Sequence, residues 1–383
     1  MSAAPSEETV TVRAAGPDDA ELLLDALGAD ASGVERVHVD MGIPWQRTLV
    51  AERGRAHRGH LQMLARPTAA RWQAEIVELH ADEAAVSALL AAADVEAALL
   101  GAAALVDRTT AGAAFDVGGE RPVRFGADGS LPQRFLRAAA RAANAVSATI
   151  ARGRPTSGLL DPADKGLDLL AEQVAGGILA PLGVPIFSEE SGWLGAAPRA
   201  PREAWISLDP IDGTRNCLRG YAPWALSAGL IDDGRAVAGL VVDLSSGRRW
   251  WTAPGAGAHV DGRPARPCAG GLLVLPSTAP GAVPALGGAA GLARLRIAGA
   301  TAVDLCRVAD GSATAFLDVH RAISQAHDIA AAVAILDAAG ATILDADTRE
   351  RPRFDAADPS RHYHLVAAAT RHEAEELLEG VGR

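Results

Sequence analysis

The residues in this chain best suited to chemistry are acidic. Asp209-Pro210-Ile211-Asp212-Gly213-Thr214 sets two carboxylates three residues apart at the end of an apolar run. Pro210 stiffens the turn, and Gly213 permits an unusual backbone angle and the close approach of a ligand. Glu189-Glu190 precedes this motif by a short segment, and Asp328 opens a later apolar stretch. Oxygen donors at this density suit a hard cation such as magnesium. Each feature alone has a plainer explanation. Asp-x-x-Asp recurs in turns, an acidic pair at a strand end is usually solvated, and an Asp at a helix start caps it. Together, at two strand ends and one helix start, they favour one shared cation site.

The pattern of apolar residues supplies the elements that must carry these acids. From Leu131 on, Arg134 to Arg152 reads as an alanine-rich amphipathic helix, broken at Pro155-Thr156-Ser157-Gly158, and Asp164 to Leu179 as a second, ended by Pro181 and Gly183. A short strand, Val184 to Phe187, delivers Glu189, and Trp205 to Leu208 delivers Asp209. Leu226 to Ile231, Ala236 to Asp243, Arg249 to Thr252 and Gly257 to Val260 alternate as strands, with Asp232-Asp233-Gly234 and Asp261-Gly262 as turns. Ala302 to Asp310 and Asp328 to Ala339 are expected helices, and Thr342 to Leu344 a strand. The first 128 or so residues read as a separate small α/β unit. Its expected elements are strands at Val10 to Val12 and Trp72 to Leu79, and helical stretches at Pro17 to Leu27, Asp82 to Ala92 and Val95 to Val106. Gly118 to Pro132 reads as a linker or hairpin.

Read in order, Glu189-Glu190, then Trp205-Ile206-Ser207-Leu208-Asp209-Pro210-Ile211-Asp212-Gly213-Thr214-Arg215-Asn216, then His327-Asp328-Ile329-Ala330-Ala331 resembles the signature of the inositol-monophosphatase family, lithium-sensitive phosphatases. Gly239-Leu240-Val241-Val242 with Thr252 to Ala258, and Gly299-Ala300-Thr301-Ala302-Val303-Asp304-Leu305, are similar to further family segments. The resemblance covers about residues 131–383. It implies an α/β (α+β) fold, a layered αβαβα sandwich of the inositol-monophosphatase/fructose-bisphosphatase type. That divides the chain into an accessory domain (1–128), an N-terminal phosphatase lobe with the metal motifs (129–270) and a C-terminal lobe (271–383). It also implies roles. Glu189, Asp209 and the Ile211 carbonyl would hold one magnesium. Asp209, Asp212 and Asp328 would hold a second, and a third could share Glu189. Glu189 and Thr214 would orient the attacking water, with Asp164 behind Thr214. Gly213, Thr214, Arg215, Gly299, Ala300, Thr301 and Asp318 would meet substrate. A homodimer is the common assembly of the family.

These residue types fit the chemistry. A phosphate monoester dianion repels a hydroxide-like nucleophile, and two cations about 3.5–4 Å apart offset that repulsion. Backbone N–H groups near Gly213 and Thr214 can bind phosphate oxygens. The protein then mainly positions groups and stabilises charge. No thiol nucleophile is required, so Cys217 reads as packing. Some positions depart from the family. His327 stands where Trp is usual and reads as a packing residue or one that supports the metal ligands. Arg215 replaces a frequent Thr and could touch a substrate phosphate or carboxylate. The span from Asp318 to Asp328 is about three residues longer than usual, and the lysine before the second helix has no clear match.

The expected activity is hydrolysis of a small phosphorylated polyol, sugar or nucleoside. The alternatives are a 3′-phosphonucleotide, fructose-bisphosphate or histidinol-phosphate phosphatase, or a catalytically weak regulatory protein acting through the N-terminal unit. A net charge of −11 over 383 residues argues against nucleic acid as partner. The 49% of hydrophobic residues allow a sizeable core. The longest nearly apolar stretch, Ala84 to Val106, is interrupted by Asp94 and Glu96 and reads as buried helix, so no membrane partner is expected. Three scattered cysteines read as reduced thiols, and the N-terminus lacks a secretory pattern. A cytoplasmic enzyme is the expectation. His57, His60 and His80 read as solvated.

Overall fold

The computed structural model describes residues 11–14, 46–53, 56–67, 72–81, 89, 93, 97, 105–107, 121–122, 130–153, 166–200, 202–268, 271–276, 294–320 and 322–381. The chain divides into two compact units, Met1–Arg137 and Ala138–Arg383. The first contains one six-stranded sheet in sequence order. Its strands are β1 (Thr11–Ala14), β2 (Gln46–Arg53), β3 (Ala56–Pro67), β4 (Trp72–Ala81), β5 (Leu105–Asp107) and β6 (Arg121–Pro122). Leu49, Val50, Leu61 and Met63 are buried in it, as are the helical residues Leu89, Ala93 and Ala97. His60 is buried too, against the solvated reading. Strand β6 falls inside the segment expected as linker or hairpin, where it pairs antiparallel with β5. Residues 17–27 and 155–158 lie outside the described residues.

Helix α1 (Leu131–Gly153) spans the division between the units, and α2 (Gly166–Leu179) follows. The second unit then builds an eight-stranded sheet from β7 (Ile186–Ser188), β8 (Gly192–Leu194), β9 (Trp205–Asp212), β10 (Ala225–Asp232), β11 (Arg235–Asp243), β12 (Arg249–Ala253), β13 (Gly257–Val260) and β14 (Arg263–Pro264). The strand order is β14-β13-β12-β11-β10-β9-β7-β8. Only β7 and β9 run parallel. The hairpins turn where the sequence indicates, with positive φ at Asp233-Gly234 and Asp261-Gly262. Short helix α3 (Thr214–Arg219) follows β9.

A five-stranded sheet comprises β15 (Leu272–Leu275), β16 (Arg294–Ile297), β17 (Ala315–Asp318), β18 (Thr342–Asp345) and β19 (Leu365–Ala368). Between the sheets lie α4 (Thr301–Ala309) and α5 (Ala326–Ala339), and α6 (Arg371–Gly380) covers the outer face of the small sheet. With α2 on the outer face of β7 and β9, the order is the αβαβα sandwich. Helix α5 is buried nearly all round, which its alanine-rich, almost uncharged sequence permits. It descends onto the large sheet at two glycines. A Cβ on Gly239 would stand 2.4 Å from Ala331 O, and one on Gly229 2.7 Å from Ala331 N. Among the described residues no helix is long and apolar enough to cross a membrane.

Candidate metal centre

Strand β9 does not stop at Leu208 as its apolar run suggests; it continues through Pro210 to Asp212. Opposite it on β10, Ser227 faces Asp209 and Ala225 faces Asp212, so three steps on β9 match two on β10. This is a bulge, which also accommodates a proline that could not serve a regular ladder. The bulge has a chemical result. Residues three apart on a regular strand point to opposite faces; one extra residue returns Asp212 to the side of Asp209. Helix α5 brings its first turn to the same place. One carboxylate oxygen each from Asp209, Asp212 and Asp328 lies within 4.8 Å of the others.

Each acid is held by backbone donors. Asp209 Oδ1 accepts from Ile211 N at 2.9 Å. Asp212 accepts from Thr301 N at 3.1 Å and Ala302 N at 2.7 Å, so it caps α4 from outside that helix. Asp328 occupies the third position of α5 and accepts from Gln325 N at 2.6 Å, combining the capping expected of it with a place in the cluster. Glu189 follows the end of β7, close enough to Asp209 to share a hydrogen bond.

Burial and mutual repulsion outweigh the opposing imidazoles and backbone donors in this cluster. Burial, then the charges of Glu189, Asp212 and Asp328, holds the Asp209 carboxyl well above its ordinary range. Burial and Asp328 do the same to Asp212, partly offset by the Ala302 N–H. Burial pushes Asp328 up to about 6 against the Gln325 N–H. Glu189 has an exposed surface, yet surrounding protein still raises it, ahead of the opposing effect of His327 and the repulsion of Asp328. Buried carboxylates that repel one another call for positive charge, and an all-oxygen donor set suits a hard divalent cation. The residues therefore fit the ion that the motif implies.

Around this cluster the expected residues take varied places. Gly213 has φ 83°, and a Cβ there would meet Gly299 O at 3.0 Å and Pro223 O at 3.1 Å. The neighbour that requires glycine is thus the chain's own backbone. Asn216 ties the same segments, donating to Pro223 O and Ala298 O. Ala300 is fully buried, and Thr301 already spends its N–H on Asp212. Asp318 is buried, accepts from Ser324 Oγ at 2.9 Å, and is pushed up to about 6 by burial. Arg215 is exposed and makes no ion pair among the described residues. His327 stacks on Phe187, with its Nε2 3.5 Å from Asp328 Oδ2, and burial lowers its pKa against the opposing charge of Glu189.

Thr214 Oγ1 lies 3.1 Å from Ile211 O and 3.2 Å from Asp168 Oδ1. Asp164, expected behind Thr214, lies outside the described residues; the carboxylate found there is Asp168, in the first turn of α2. A signal for it was present. Asp168 falls among Leu167, Ala171, Ala175 and Leu179, the buried stripe of an otherwise ordinary amphipathic helix, where an acid needs a partner.

A layered sandwich that gathers strand-end and helix-start carboxylates in one cluster is the architecture of a metal-dependent phosphatase. The family model described as "Inositol monophosphatase family" matches residues 180–382. An inositol-1-monophosphatase, SuhB, of Mycobacterium tuberculosis is 34% identical over 218 residues, 52% of this chain and 71% of the relative. A fructose-1,6-bisphosphatase/inositol-1-monophosphatase of Thermococcus kodakarensis is 28% identical over 220 residues, 57% and 82% of the two chains. The solved structure of Mycobacterium tuberculosis SuhB superposes with a TM-score of 0.51 at 29% identity, covering 65% of this chain and 94% of that one. The chain belongs to the inositol monophosphatase family. It is a phosphoric monoester hydrolase.

Proposed function

We propose that the second unit is a magnesium-dependent phosphomonoesterase that hydrolyses a small phosphorylated polyol, sugar or nucleoside. The observation that carries this reading is the convergence of Asp209, Asp212 and Asp328 within 4.8 Å. Asp209, Asp212 and Asp328 would hold one ion, and Glu189, Asp209 and the Ile211 carbonyl another. Bound cations supply the charge that offsets repulsion between nucleophile and phosphate dianion, and they make water more acidic. Thr214 directs its hydrogen to Asp168 or Ile211 O, which leaves its lone pairs to accept from the attacking water. Glu189 accepts the other hydrogen and takes the proton as the water oxygen bonds to phosphorus. The ester P–O bond breaks, the departing oxygen takes a proton from a solvent water to become the free alcohol, and Glu189 returns its proton to solvent. The N–H groups near Gly213 and Thr214 orient phosphate oxygens. A cytoplasmic homodimer is the assembly we propose.

A second substrate reading, a sugar bisphosphate, is favoured by Arg215. Its guanidinium, next to Thr214 and without an ion pair among the described residues, could hold a second phosphate, and the Thermococcus relative bears the name of a bisphosphatase.

Magnesium-dependent phosphate release from p-nitrophenyl phosphate tests the reaction. Wild type should show it and Asp209→Asn should not; release without added magnesium in chelator would overturn the reading. A panel of phosphorylated metabolites, with and without Arg215→Ala, separates the substrates. Lithium should inhibit by competing for the ion at Asp212 and Asp328, and full activity in concentrated lithium would count against this.

A further inference from the structure

Helix α2 supplies no member of the acidic cluster, yet it holds both chain segments that flank it. Asp168 and Glu172 are four apart, so they stand one above the other on one face of the helix. Both are buried. Asp168 accepts from Thr214, two residues beyond Asp212. Glu172 accepts twice from Ser191, two residues beyond Glu189: from its N–H at 3.1 Å through Oε2, and from its hydroxyl through Oε1. Gly176, one further turn along, lets the helix approach strand β8, where Leu194 packs against it.

This geometry matters because of how Glu189 is attached. The strand β7 ends at Ser188, and the chain from Glu189 to Ser191 is a turn before β8 begins. The Glu189 N–H is pinned to Leu208 O at 3.2 Å. Beyond that point Glu172 accepts both hydrogen bonds that Ser191 donates among the described residues. A buried carboxylate that engages one residue of an exposed turn through two donors is a costly arrangement if the turn has no precise task.

We infer that Glu172 is a positioning residue for the metal centre, acting through Ser191 to fix the Glu189 turn against the Asp209–Asp212 bulge. The inference rests on the proposed function, since it concerns the same site. The α-helix rises about 1.5 Å per residue, so α2 acts as a rigid spacer of about 6 Å between its two attachment points. The Thr214 side and the Glu189 side of the centre are thereby held in one frame.

The test is magnesium binding by isothermal titration calorimetry on the full chain, with thermal melting alongside. Ser191→Ala removes one donor and leaves the Ser191 N–H bond to Glu172 in place, so the variant should still fold, with a melting temperature lowered by the partner that Glu172 Oε1 loses. Its magnesium affinity should fall by about tenfold, the low end of what support of a metal ligand contributes. Ser191→Thr, which keeps the hydroxyl, should restore binding. Glu172→Met preserves volume, removes both acceptors and should weaken binding further. Wild-type affinity in Ser191→Ala, or a loss of affinity that Ser191→Thr shares in full, would overturn the inference. So would losses that follow the melting temperature through all three variants, which mark a purely structural bond. If wild type itself binds no magnesium, the proposed function fails with it. If wild type binds and Ser191→Ala binds equally, only the role of Glu172 is lost.

Discussion

Asp209 and Asp212 share one strand but converge because β9 carries an extra residue between them relative to β10. Their spacing of three would otherwise send the two carboxylates to opposite faces of the sheet. The bulge makes Asp-x-x-Asp a two-donor device, and Asp212 is further secured by the start of α4. Replacing Asp212 by Asn should abolish turnover, by about a hundredfold or more. The amide oxygen can still accept one of the two α4 N–H groups, so the variant should fold. Phosphate release and circular dichroism check both halves; a folded variant with full activity would remove Asp212 from the centre.

Thr214 and Asp168 should behave as a pair. Thr214→Ala and Asp168→Asn should each lower kcat strongly while magnesium still binds, because neither belongs to the acidic cluster. The double variant should be little worse than the worse single one, as expected for groups acting as a unit. Fully additive losses in kcat would separate their roles.

Asp304 gives a pH signature. It is fully buried, and burial pushes its carboxyl up to about 7 despite the ion pair with Arg307 at 3.0 Å. The folded value lies above the ordinary carboxylate value, so the folded state retains a proton that the unfolded state releases. The stability associated with the neutral acid is fully present below about pH 4 and is lost as pH rises to 7, with a slope of about 1.4 kcal/mol per pH unit at most. Denaturant midpoints followed from about pH 5 to about pH 8 should fall through this window in wild type. Asp304→Asn should flatten the fall, and an unchanged slope would contradict the assignment.

Gly239→Ala should destabilise the second unit by about 1–3 kcal/mol, the cost of overpacking. The added methyl meets Ala331 backbone, which has no flexible end to swing aside. Urea denaturation measures this, and a neutral result would mean that α5 sits further from the sheet.

Much of this arrangement could be read from residue order. The hairpins were legible because Asp-Gly pairs punctuate alternating runs, and α5 because an almost uncharged alanine-rich stretch follows one acid. Asp209, Asp212 and Asp328 were recognisable as a set through motif and resemblance. The length of β9 was not, since proline ordinarily argues against a strand and the bulge that admits it depends on pairing with β10. Asp168 is one of several acids near the start of α2, and only the burial of one face of that helix, a tertiary property, points to its bond with Thr214. Ser191 and Glu172 are nineteen residues apart, and nothing local announces their bond.

The cluster draws its acids from two layers. Asp209 and Asp212 belong to the large sheet, and Asp328 to the helix sandwiched beneath it. Any ion gripped by all three is therefore also a rivet between those layers. A chelator would then do more than silence the enzyme: it would remove one fastening between α5 and the sheet it rests on, so that the same bonds answer for turnover and contribute to endurance.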